Sequence, residues 1–411
     1  MSAPKLTPLG QVAVFQSGGT PDRKRDDYYS GSIPWVTGAD IDAGGEVSPR
    51  HMISERAVSE SGTGTAVAGD LLLVTRTSVG KAAIARGTTC FSQDITGVRV
   101  NSDVLVDRYL FHYIRSQERY FTDRARGATI KGVTREVVRE LGVPIFSLAR
   151  QRRIAQVLDH VDSLRDQRRR SIALLEELVQ AIFLDMFGNP VTNPKGLATQ
   201  SLGSFGRVVT GNTPSRAEVK NYGDAIEWIK SDNINSSCVG LTPAAEGLSS
   251  EGIKKGRVVP AGSLLVTCIA GSPASIGNVA MADRSVAFNQ QINSLTPLEA
   301  DPIFLYFQLR LAKPLVLAKS TGGMKGLVSK SKFESVVLLN PPLVDQRAFA
   351  SRAQKIIDLR TSERAHLADL DSLFAALQHY AFKGELWAEE MAIASRTTPS
   401  PPVPDSERSP A

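Results

Sequence analysis

The stretch GGTPDRKRDDYYSGSIPWV, at residues 18–36, returns later in the chain as GNTPSRAEVKNYGDAIEWI, at residues 211–229. The two stretches align without a gap, and seven of their nineteen positions are identical. Each joins a Gly-x-Thr-Pro turn signal to a strand-like segment that ends in Ile-x-Trp. A loop and strand that occur twice in one chain indicate an internal duplication.

Four further pairs of segments recur in the same order in both halves of the chain. The pairs are VAGDLLLV (67–74) with VPAGSLLVT (259–267), FSQDITG (91–97) with FNQQINS (288–294), GATIKGVT (127–134) with GGMKGLVS (322–329), and QRRIA (151–155) with QRAFA (346–350). A chain of 411 residues exceeds one ordinary core, so we expect each half to form its own domain.

Each half opens with short strand-like runs that Gly, Pro, Asn and Asp interrupt, which predicts an α+β fold. The clearest strand-like runs are 71–75, 97–100 and 264–268, and short helices are expected at 106–117 and 301–311. Loops of differing sequence join these elements.

A long amphipathic run follows each of these α+β regions. Apolar residues recur at a 3-4 spacing, in the same frame, at Ile154, Leu158, Val161, Ile172, Leu175, Val179, Ile182 and Met186, and at Phe349, Ala353, Ile356, Leu367, Leu370, Phe374, Leu377 and Ala381. The frame is broken at Arg165 and Arg168 in one run and at Arg360 and Glu363 in the other. Sustained heptads predict two coiled-coil-like helices of about 36 residues, each reaching about 50 Å.

These patterns divide the chain into six segments. The segments are a first α+β domain at 1–149, a long helix at 150–187, a linker at 188–200, a second α+β domain at 201–343, a second long helix at 344–387 and a tail at 388–411. The tail is rich in Pro and Ser and poor in apolar residues, so we expect it to be disordered.

Composition narrows the class of protein. The net charge of +6 and the pI near 9.2 are compatible with nucleic-acid binding. No apolar run reaches the length of a membrane span and no secretory h-region opens the chain, so we expect a cytoplasmic protein without a membrane partner. The three cysteines are widely spaced, which favours buried reduced thiols.

Two near-motifs raise the question of catalysis. Asn340-Pro341-Pro342 resembles the target-amino loop of amino-directed DNA methyltransferases, but Leu343 stands where the stacking aromatic belongs. Two prolines that introduce the long helix are the favoured interpretation. The segment TSVGKAAI (77–84) lacks the first glycine and the Ser/Thr of a P-loop. The five histidines form no obvious triad or metal set, so a binding protein is favoured.

The joint order of the five matched elements resembles one family, over roughly residues 5–388. Each half opens with Gly-x-Thr-Pro and Ile-x-Trp, closes with QRRIA or QRAFA after a proline, and continues into a long helix. These features are similar to those of the DNA specificity subunit of type I restriction-modification systems.

The resemblance implies an architecture and a function. Two similar target recognition domains would be separated by two long antiparallel helices, with an internal pseudo-twofold duplication. Each domain would read one half of a bipartite site in double-stranded DNA. The helices would dock two modification subunits, which methylate adenine at N6 with S-adenosylmethionine, and a restriction motor-nuclease subunit would join. The chain itself would carry neither catalysis nor a cofactor.

Two other functions remain open from the sequence. A stand-alone DNA adenine methyltransferase would use Asn340-Pro341-Pro342 and bind S-adenosylmethionine itself. A coiled-coil scaffold would bind only proteins, through its helices.

The duplicated loop contains candidates for both structural and binding roles. Pro21 and Pro214 are expected to fix a turn, Thr20 and Thr213 to bond nearby backbone, Trp35 and Trp228 to pack in cores, and Gln93 and Gln290 to form structural hydrogen bonds. Recurring arginines suit phosphate contacts, whereas non-recurring cations suit sequence reading or a solvated surface. The candidate DNA contacts are Arg23, Lys24, Arg25, Thr37, Arg76, Thr77, Lys81, Lys131, Ser215, Arg216, Lys230, Ser272, Ser275 and Lys325.

The ends of the long helices carry more apolar residues than one helix–helix seam requires. The segments 174–187 and 370–382 are both rich in Leu and Phe. We expect their phenylalanines to bind the modification subunits, although an intramolecular bundle remains the alternative; the candidates are Phe183, Phe187, Phe374 and Phe382.

Overall fold

A computed structural model describes residues 4–127, 130–235, 238–321 and 326–387. The chain divides into two compact units. The first contains residues 1–169 and the chain from His366 onwards, and the second contains residues 170–365. Each unit therefore consists of one α+β domain and a segment of each long helix.

The first half of the chain contains the following elements in order: β1 (Leu6–Pro8), β2 (Ala13–Ser17), β3 (Ile33–Val36), β4 (His51–Ile53), α1 (Glu55–Glu60), β5 (Gly64–Ala66), β6 (Leu71–Val74), β7 (Ala82–Ile84), β8 (Thr89–Phe91), β9 (Ile95–Val100), α2 (Asp107–Ser116), α3 (Glu118–Arg124), α4 (Arg135–Arg139), β10 (Gly142–Pro144) and α5 (Leu148–Phe187). The predicted runs at 71–75, 97–100 and 106–117 are confirmed as β6, β9 and α2.

The second half contains β11 (Thr199–Ser201), β12 (Gly206–Thr210), β13 (Tyr222–Ile229), β14 (Gly247–Leu248), α6 (Ser250–Lys255), β15 (Val258–Val259), β16 (Leu264–Thr267), β17 (Ile269–Ala270), β18 (Val279–Met281), β19 (Val286–Phe288), β20 (Ile292–Pro297), α7 (Pro302–Leu311), α8 (Lys313–Leu317), β21 (Gly326–Leu327), α9 (Lys330–Glu334), β22 (Val337–Leu339) and α10 (Leu343–Lys383). The predicted runs at 264–268 and 301–311 are confirmed as β16 and α7.

The four-stranded sheets of the two units match strand for strand. The order β2-β9-β6-β7 in the first unit corresponds to β12-β20-β16-β18 in the second, and β4-β3-β8-β5 corresponds to β14-β13-β19-β15. In both units the Trp strand pairs in parallel with one of its two neighbours, β3 with β8 and β13 with β19. The ribbons β1–β10 and β11–β22 are also equivalent. The structure thus confirms the duplication that the sequence predicts.

Each unit has a main core that its domain and its helix segments share. Strands β6 and β16 are buried on both faces, as their apolar runs require. In the first unit β6 packs with α2 and with Ile154, Leu158 and Phe374 of the long helices. In the second unit Phe183 and Phe349 occupy the corresponding core. The long helices are therefore structural parts of the domains.

The long helices run antiparallel within each unit. Arg165 of α5 pairs with Asp371 of α10 in the first unit, where Arg150, near the start of α5, donates to the carbonyl of Gly384. In the second unit the rings of Phe187 and Phe349 are in contact.

The ends of the long helices depend on glycine. Helix α5 ends at Phe187 and α10 at Lys383, and the glycines that follow them, Gly188 and Gly384, have φ of +77° and +79°. A positive φ that only glycine adopts readily stops a helix. Residues 384–387 therefore lie outside the helix expected at 344–387, and the predicted tail at 388–411 lies outside the described residues.

The glutamine of the QRRIA and QRAFA segments explains why these segments recur. Gln151 and Gln346 are 0% and 1% exposed. Gln151 accepts from the amide of Val106 at the start of α2, and Gln346 accepts from the amide of Asp301 at the start of α7. Each glutamine thus fastens a long helix to its domain through hydrogen bonds that are shielded from water.

Candidate nucleic-acid interface

The duplicated loop has the same hydrogen-bonded frame in both units. Trp35 and Trp228 are 1% and 3% exposed, which confirms that they are core residues. The indole nitrogen of Trp35 donates to the carbonyl of Gly19 at 3.1 Å, and that of Trp228 donates to the carbonyl of Asn212 at 3.2 Å. A buried indole N–H requires such a partner, and the loop supplies it.

Further side-chain bonds hold the turn of the loop. Tyr29 donates to the carbonyl of Pro21 at 2.9 Å, and Tyr222 donates to that of Pro214 at 2.6 Å. In addition, the threonine of each Gly-x-Thr-Pro turn donates to a glutamine of the distant FSQ or FNQ segment, in the pairs Thr20–Gln93 and Thr213–Gln290.

These pairs confirm the structural hydrogen bonds predicted for the two glutamines. They correct the expectation that the threonines bond nearby backbone, because a side-chain acceptor 73 or 77 residues away takes that bond. A pattern in the local sequence does not reveal an acceptor at that distance.

The first glycine of each loop is required by close backbone packing. A Cβ atom at Gly18 would lie 2.0 Å from the carbonyl oxygen of Ser92, and one at Gly211 would lie 2.1 Å from that of Asn289. No side chain fits at such distances, so the loop contacts the FSQ or FNQ segment directly.

Several loops of the first domain meet at one edge of its sheets. The amide of Gly19 donates to the carbonyl of Phe91, that of Thr75 to Asp94, and that of Thr77 to Lys131, at 2.8–3.0 Å. We name this set of loops, residues 18–25, 37–42, 75–81, 92–95, 126–127 and 130–135, the first loop edge. Loops place variable side chains on a rigid scaffold, which is the usual location of binding residues.

The second domain has an equivalent edge. The amide of Asn212 donates to the carbonyl of Phe288, and that of Cys268 to Gln291. Strands β17 and β21 pair where the first domain has the single bridge between Arg76 and Gly132. We name residues 211–218, 230–235, 268–278, 289–292 and 320–328 the second loop edge, of which the structure describes all but residues 322–325.

The structure brings three of the predicted DNA contacts of the first domain together. Arg76, Thr77 and Lys131 are exposed neighbours on the first loop edge. Thr77 has a φ of +65°, a sparsely populated conformation for a β-branched residue, and it is held by the Lys131 carbonyl. Two further exposed cations of this edge, Arg126 and Arg135, escaped the sequence reasoning, although both flank the duplicated segment at 127–134.

Other predicted contacts in the first domain have intramolecular partners. Arg25 pairs with Asp27 at 2.6 Å and with Glu60 at 3.2 Å, and its guanidinium lies over the ring of Tyr28. The hydrogen bond to the carboxylate of Asp27 is the main cause that raises the pKa of Arg25 above its ordinary value. The guanidinium of Arg25 thus makes its contacts within the domain, which does not support a role in reading bases.

The remaining candidates of this domain fall into two groups. Arg23 lies beside the hydroxyl of Tyr29. Burial raises the pKa of this tyrosine, and the charge of Arg23 partly opposes that rise. Lys24 is exposed at the tip of the loop. The side chain of Thr37 donates to Asp40 at 2.7 Å, and the ammonium of Lys81 donates to the carbonyl of Ile41 at 3.2 Å. The latter two bonds stabilise the loops.

In the second domain one carboxylate pairs with two of the candidate cations. Glu246 pairs with Lys230 at 2.7 Å and with Arg216 at 2.9 Å. The bond from Lys230 and then that from Arg216 lower the pKa of Glu246. Arg216 and Lys230 lie 5.6 and 5.2 Å from the centre of the Trp228 ring, so both cations make cation–π contacts with this ring.

The predicted serines of the second domain also lie on its loops. Ser215 and Ser272 are exposed and Ser275 is half-buried. Ser215 belongs to the duplicated loop, whereas Ser272 and Ser275 follow β17. Lys325 lies outside the described residues.

The phenylalanines predicted to bind partners are mostly core residues. Phe183, Phe187 and Phe374 are 0%, 2% and 6% exposed, and Phe382 is half-buried against the ring of Tyr113. The burial of Phe183, Phe187 and Phe374 corrects the expectation that these three face a partner, since each helix segment packs against both its domain and the other helix. The role of Phe382 stays a prediction. The outward apolar residues of the helices include Leu178 and Leu373, both 47% exposed.

The Asn-Pro-Pro segment connects a strand to a helix. The amide of Asn340 donates to the carbonyl of Ala198 at 2.7 Å, and the carbonyl of Pro341 accepts from the side chain of Gln346. Helix α10 begins directly afterwards, at Leu343. The structure confirms that the two prolines introduce the helix.

The described residues contain no group of three or more His, Cys, Asp or Glu placed to hold a metal ion. Among these residues, no helix combines the length and the apolar character that crossing a bilayer requires. Cys90 and Cys268 are buried free thiols, as predicted, and Cys238 is half-buried.

Comparison with known proteins assigns the duplicated architecture. The model of the family described as type I restriction modification DNA specificity domain matches residues 5–177 and, a second time, residues 194–370. The chain belongs to this family. It is therefore a non-catalytic DNA-recognition component, a specificity subunit of a type I restriction-modification system.

Individual relatives agree with this assignment. The type I restriction enzyme MjaIX specificity subunit of Methanocaldococcus jannaschii is 22% identical over 94% of both chains. The HindI specificity subunit of Haemophilus influenzae is 30% identical over 36% of this chain and 32% of that protein.

Solved structures share the fold of the specificity subunit. The type I S subunit from M. genitalium has a TM-score of 0.60 at 12% identity and covers 92% of this chain and 95% of that one. A chain from a study of complex assembly and conformational transition of the type I R-M system has a TM-score of 0.52 at 19% identity, over 94% and 99%.

Proposed function

We propose that this specificity subunit reads a bipartite site in double-stranded DNA, with one recognition domain for each half. The observation that carries the proposal is the pair of loop edges, which share a hydrogen-bonded frame and differ in their exposed side chains. A shared frame positions each domain on DNA, while different side chains read different bases. Two linked domains also gain affinity and specificity, because the second binding event is intramolecular.

The first loop edge supports phosphate and base contacts through exposed cations. Arg76, Arg126, Lys131 and Arg135 lie there together, and Lys24 extends from the duplicated loop. Arginine pairs well with guanine, and lysine and arginine both neutralise phosphates. The second edge offers serines and the Glu246-paired cations instead, which supports a different half-site.

We further propose that the long helices dock two modification subunits, which methylate adenine at N6 and hold the S-adenosylmethionine. Leu178 and Leu373 occupy equivalent helix positions, 27 residues after Gln151 and Gln346, and are equally exposed. A duplicated outward apolar residue fits two copies of one partner. A restriction subunit joins for cleavage, and the complex acts on DNA in the cytoplasm.

The test is a map of methylated adenines in a host that expresses this chain with its modification subunit, compared with the host lacking this chain. A new motif of two short defined blocks around an unspecified spacer is the expected result. Exchanging residues 1–149 for the same region of a relative should change one block only, and the unchanged block is the internal control.

Two outcomes would contradict the proposal. Assembly of the proteins without any new methylated motif would favour a protein-only scaffold. A change in both blocks after the exchange would show that the domains do not read separate half-sites.

A further inference from the structure

On the first loop edge, Gly132 lies between two arginines. It forms one antiparallel bridge with Arg76 and another with Arg126, whose backbone exchanges two hydrogen bonds with it at 2.8 and 2.9 Å. Residues directly opposite each other in such bridges share one face. Both arginines are exposed, and no carboxylate in the described part of the chain pairs with either of them. This face therefore presents two cations to a ligand that carries negative charge or hydrogen-bond acceptors.

The absence of a side chain at Gly132 gives the Arg76 side chain its place. A Cβ atom at position 132 would lie 3.0 Å from the Cγ atom of Arg76 and 3.6 Å from its Cα atom. The first distance is shorter than an ordinary van der Waals contact. The stem of Arg76 thus lies over bare backbone, and any larger residue at position 132 would displace it.

The backbone on either side of Arg76 is held by hydrogen bonds. The amide of Val133 donates to the carbonyl of Thr75 at 2.9 Å, and the amide of Thr77 donates to the carbonyl of Lys131 at 3.0 Å. Thr75 is itself buried, and its amide donates to the carbonyl of Asp94 at 2.8 Å. The Cα atom of Arg76 therefore has a fixed position on the domain.

The residue after Arg76 adopts a strained turn. The amide of Ser78 donates to the carbonyl of Arg76 at 2.9 Å, across a single residue, Thr77, whose φ is +65°. A three-residue turn with this sign of φ is rare and strained. The hydroxyl of Thr77 also donates to the carbonyl of Arg76, at 2.5 Å. Backbone strain of this kind persists where the surrounding structure enforces it, and it is concentrated at functional sites.

The second domain has a different residue at the position of Arg76. The amide of Cys268 donates to the carbonyl of Gln291, as that of Thr75 does to Asp94, so Ile269 is the counterpart of Arg76. Ile269 is half-buried and pairs with Leu327, which is 38% exposed. The backbone arrangement is shared, but a cation over glycine is replaced by two aliphatic side chains. Contacts that only position a domain on phosphates have no reason to differ in this way, whereas contacts to bases do.

We infer that Arg76 determines base specificity in the first domain, by donating two guanidinium N–H groups to the O6 and N7 atoms of one guanine in the major groove. Gly132 and Thr77 act as positioning residues for it. This inference rests on the proposed function and deepens it. A bidentate contact requires a guanidinium held in one place, whereas a phosphate contact requires only a positive charge. The exposed Arg126 and Lys131 supply that charge beside Arg76.

The first test is Arg76→Lys in the assembled complex, because lysine keeps the charge and loses the planar fork. The map of methylated adenines gives the methylated fraction for each base at each position of the first block. At one G·C position of that block, the preference for guanine should fall by about 5- to 150-fold. The second block should not change. Arg86→Lys makes the same substitution at a residue that is 83% exposed and lies outside the loop edge, and it should leave both blocks unchanged.

The second test asks whether Gly132 acts through Arg76. Gly132→Ala should lower the same guanine preference in the native chain but cause no further loss in the Arg76→Lys background, because the two changes affect one contact. Equal losses in both backgrounds would contradict a positioning role. The unchanged second block reports that each variant still folds and assembles.

Three outcomes would overturn the inference. One is a full guanine preference in the Arg76→Lys complex, which would assign Arg76 to a phosphate, and another is a native first block without any G·C pair. If a variant methylates too weakly for a map, competition between duplexes that differ only at that base measures the same ratio. The third outcome is a native complex that yields no bipartite motif, and it is distinguishable because the proposed function then fails before any variant is made.

Discussion

The duplicated loops of the two recognition domains have the same bonds and different charges. In both, an indole donates to the loop, a tyrosine hydroxyl donates to the turn proline carbonyl, and a threonine donates to a distant glutamine. In the first domain, however, Arg25 is paired with Asp27 and Glu60. In the second, Glu246 holds Arg216 and Lys230.

This difference separates the residues that build a domain from those that distinguish one domain from the other. Bonds to buried groups are costly to lose, because the remaining partner stays desolvated. Exposed ion pairs contribute little to stability and are free to differ. The proposed reading of two different half-sites with one fold requires this combination.

The largest expected effect concerns the shared frame. Trp35→Ala or Trp228→Ala should destabilise its own domain by about 3–5 kcal/mol, because each removes a fully buried ring and the bond to the loop. Hydrogen exchange resolved by segment should show the loss in one unit only. The exposed Val14 provides the control, since Val14→Ala should change stability by less than about 0.5 kcal/mol. Equal loss of protection in both units would show that the frames are not independent.

A second contrast is a buried histidine that only the first unit has. His112 is 0% exposed and contacts Asp159 at 2.6 Å, whereas the equivalent positions in the second unit are Phe307 and Gln354. Burial lowers the pKa of His112 below its ordinary 6.5, which Asp159 only partly opposes. The unfolded chain therefore binds the proton first as the pH falls.

The contribution of His112 to the stability of the first unit should thus be constant above about pH 6.5. Below that pH it should fall, until the lowered pKa of His112 is passed. The slope for one proton is at most about 1.4 kcal/mol per pH unit. His112→Phe, which copies the second unit, should abolish this component in urea unfolding followed by hydrogen exchange. A slope that survives the substitution would assign the pH dependence to other groups.

The matched threonines test whether the two frames are energetically equal. Thr20→Val and Thr213→Val each remove the donor to Gln93 or Gln290. Each should cost about 0.5–1.5 kcal/mol in its own unit, near the lower end because the bonds are exposed. Serine at either position keeps the donor and is the matched control. A loss in one unit alone would show that one frame does not depend on this bond.

The contrast also indicates what the sequence could predict. The duplication, the strands β6 and β16 and both long helices followed from matched segments and heptad spacing. The ion pairs Arg25–Glu60 and Arg216–Glu246 did not follow from the sequence, since their members lie 35 and 30 residues apart. Phe183 and Phe187 were misjudged because heptad spacing describes a helix seam and does not show a domain packed against the same helix.

The smallest expected effect concerns Glu246. A glutamate is ionised at neutral pH, and the bonds from Lys230 and Arg216 lower the pKa of Glu246 further, so substitution rather than a change in pH is the way to release its partners. Glu246→Gln removes the charge opposing Arg216 and Lys230 but keeps a polar side chain of similar size. If the second loop edge binds DNA, the released cations should tighten non-specific binding at low salt. The slope of log K against the logarithm of the salt concentration should become steeper by about one to two units, which is about one for each added phosphate contact.

His51 occupies the position in β4 that matches Glu246, opposite the tryptophan of the strand. The centre of its ring lies 6.1 Å from those of Trp35 and Tyr29. Because it is an imidazole, it places no negative charge beside the first loop. His51→Gln should therefore leave the salt dependence unchanged, which makes it the matched control in a fluorescence anisotropy titration of the assembled complex. Equal slopes for native and Glu246→Gln complexes would mean that Arg216 and Lys230 do not reach DNA, and that the proposed reading of a half-site by this edge would have to use other side chains.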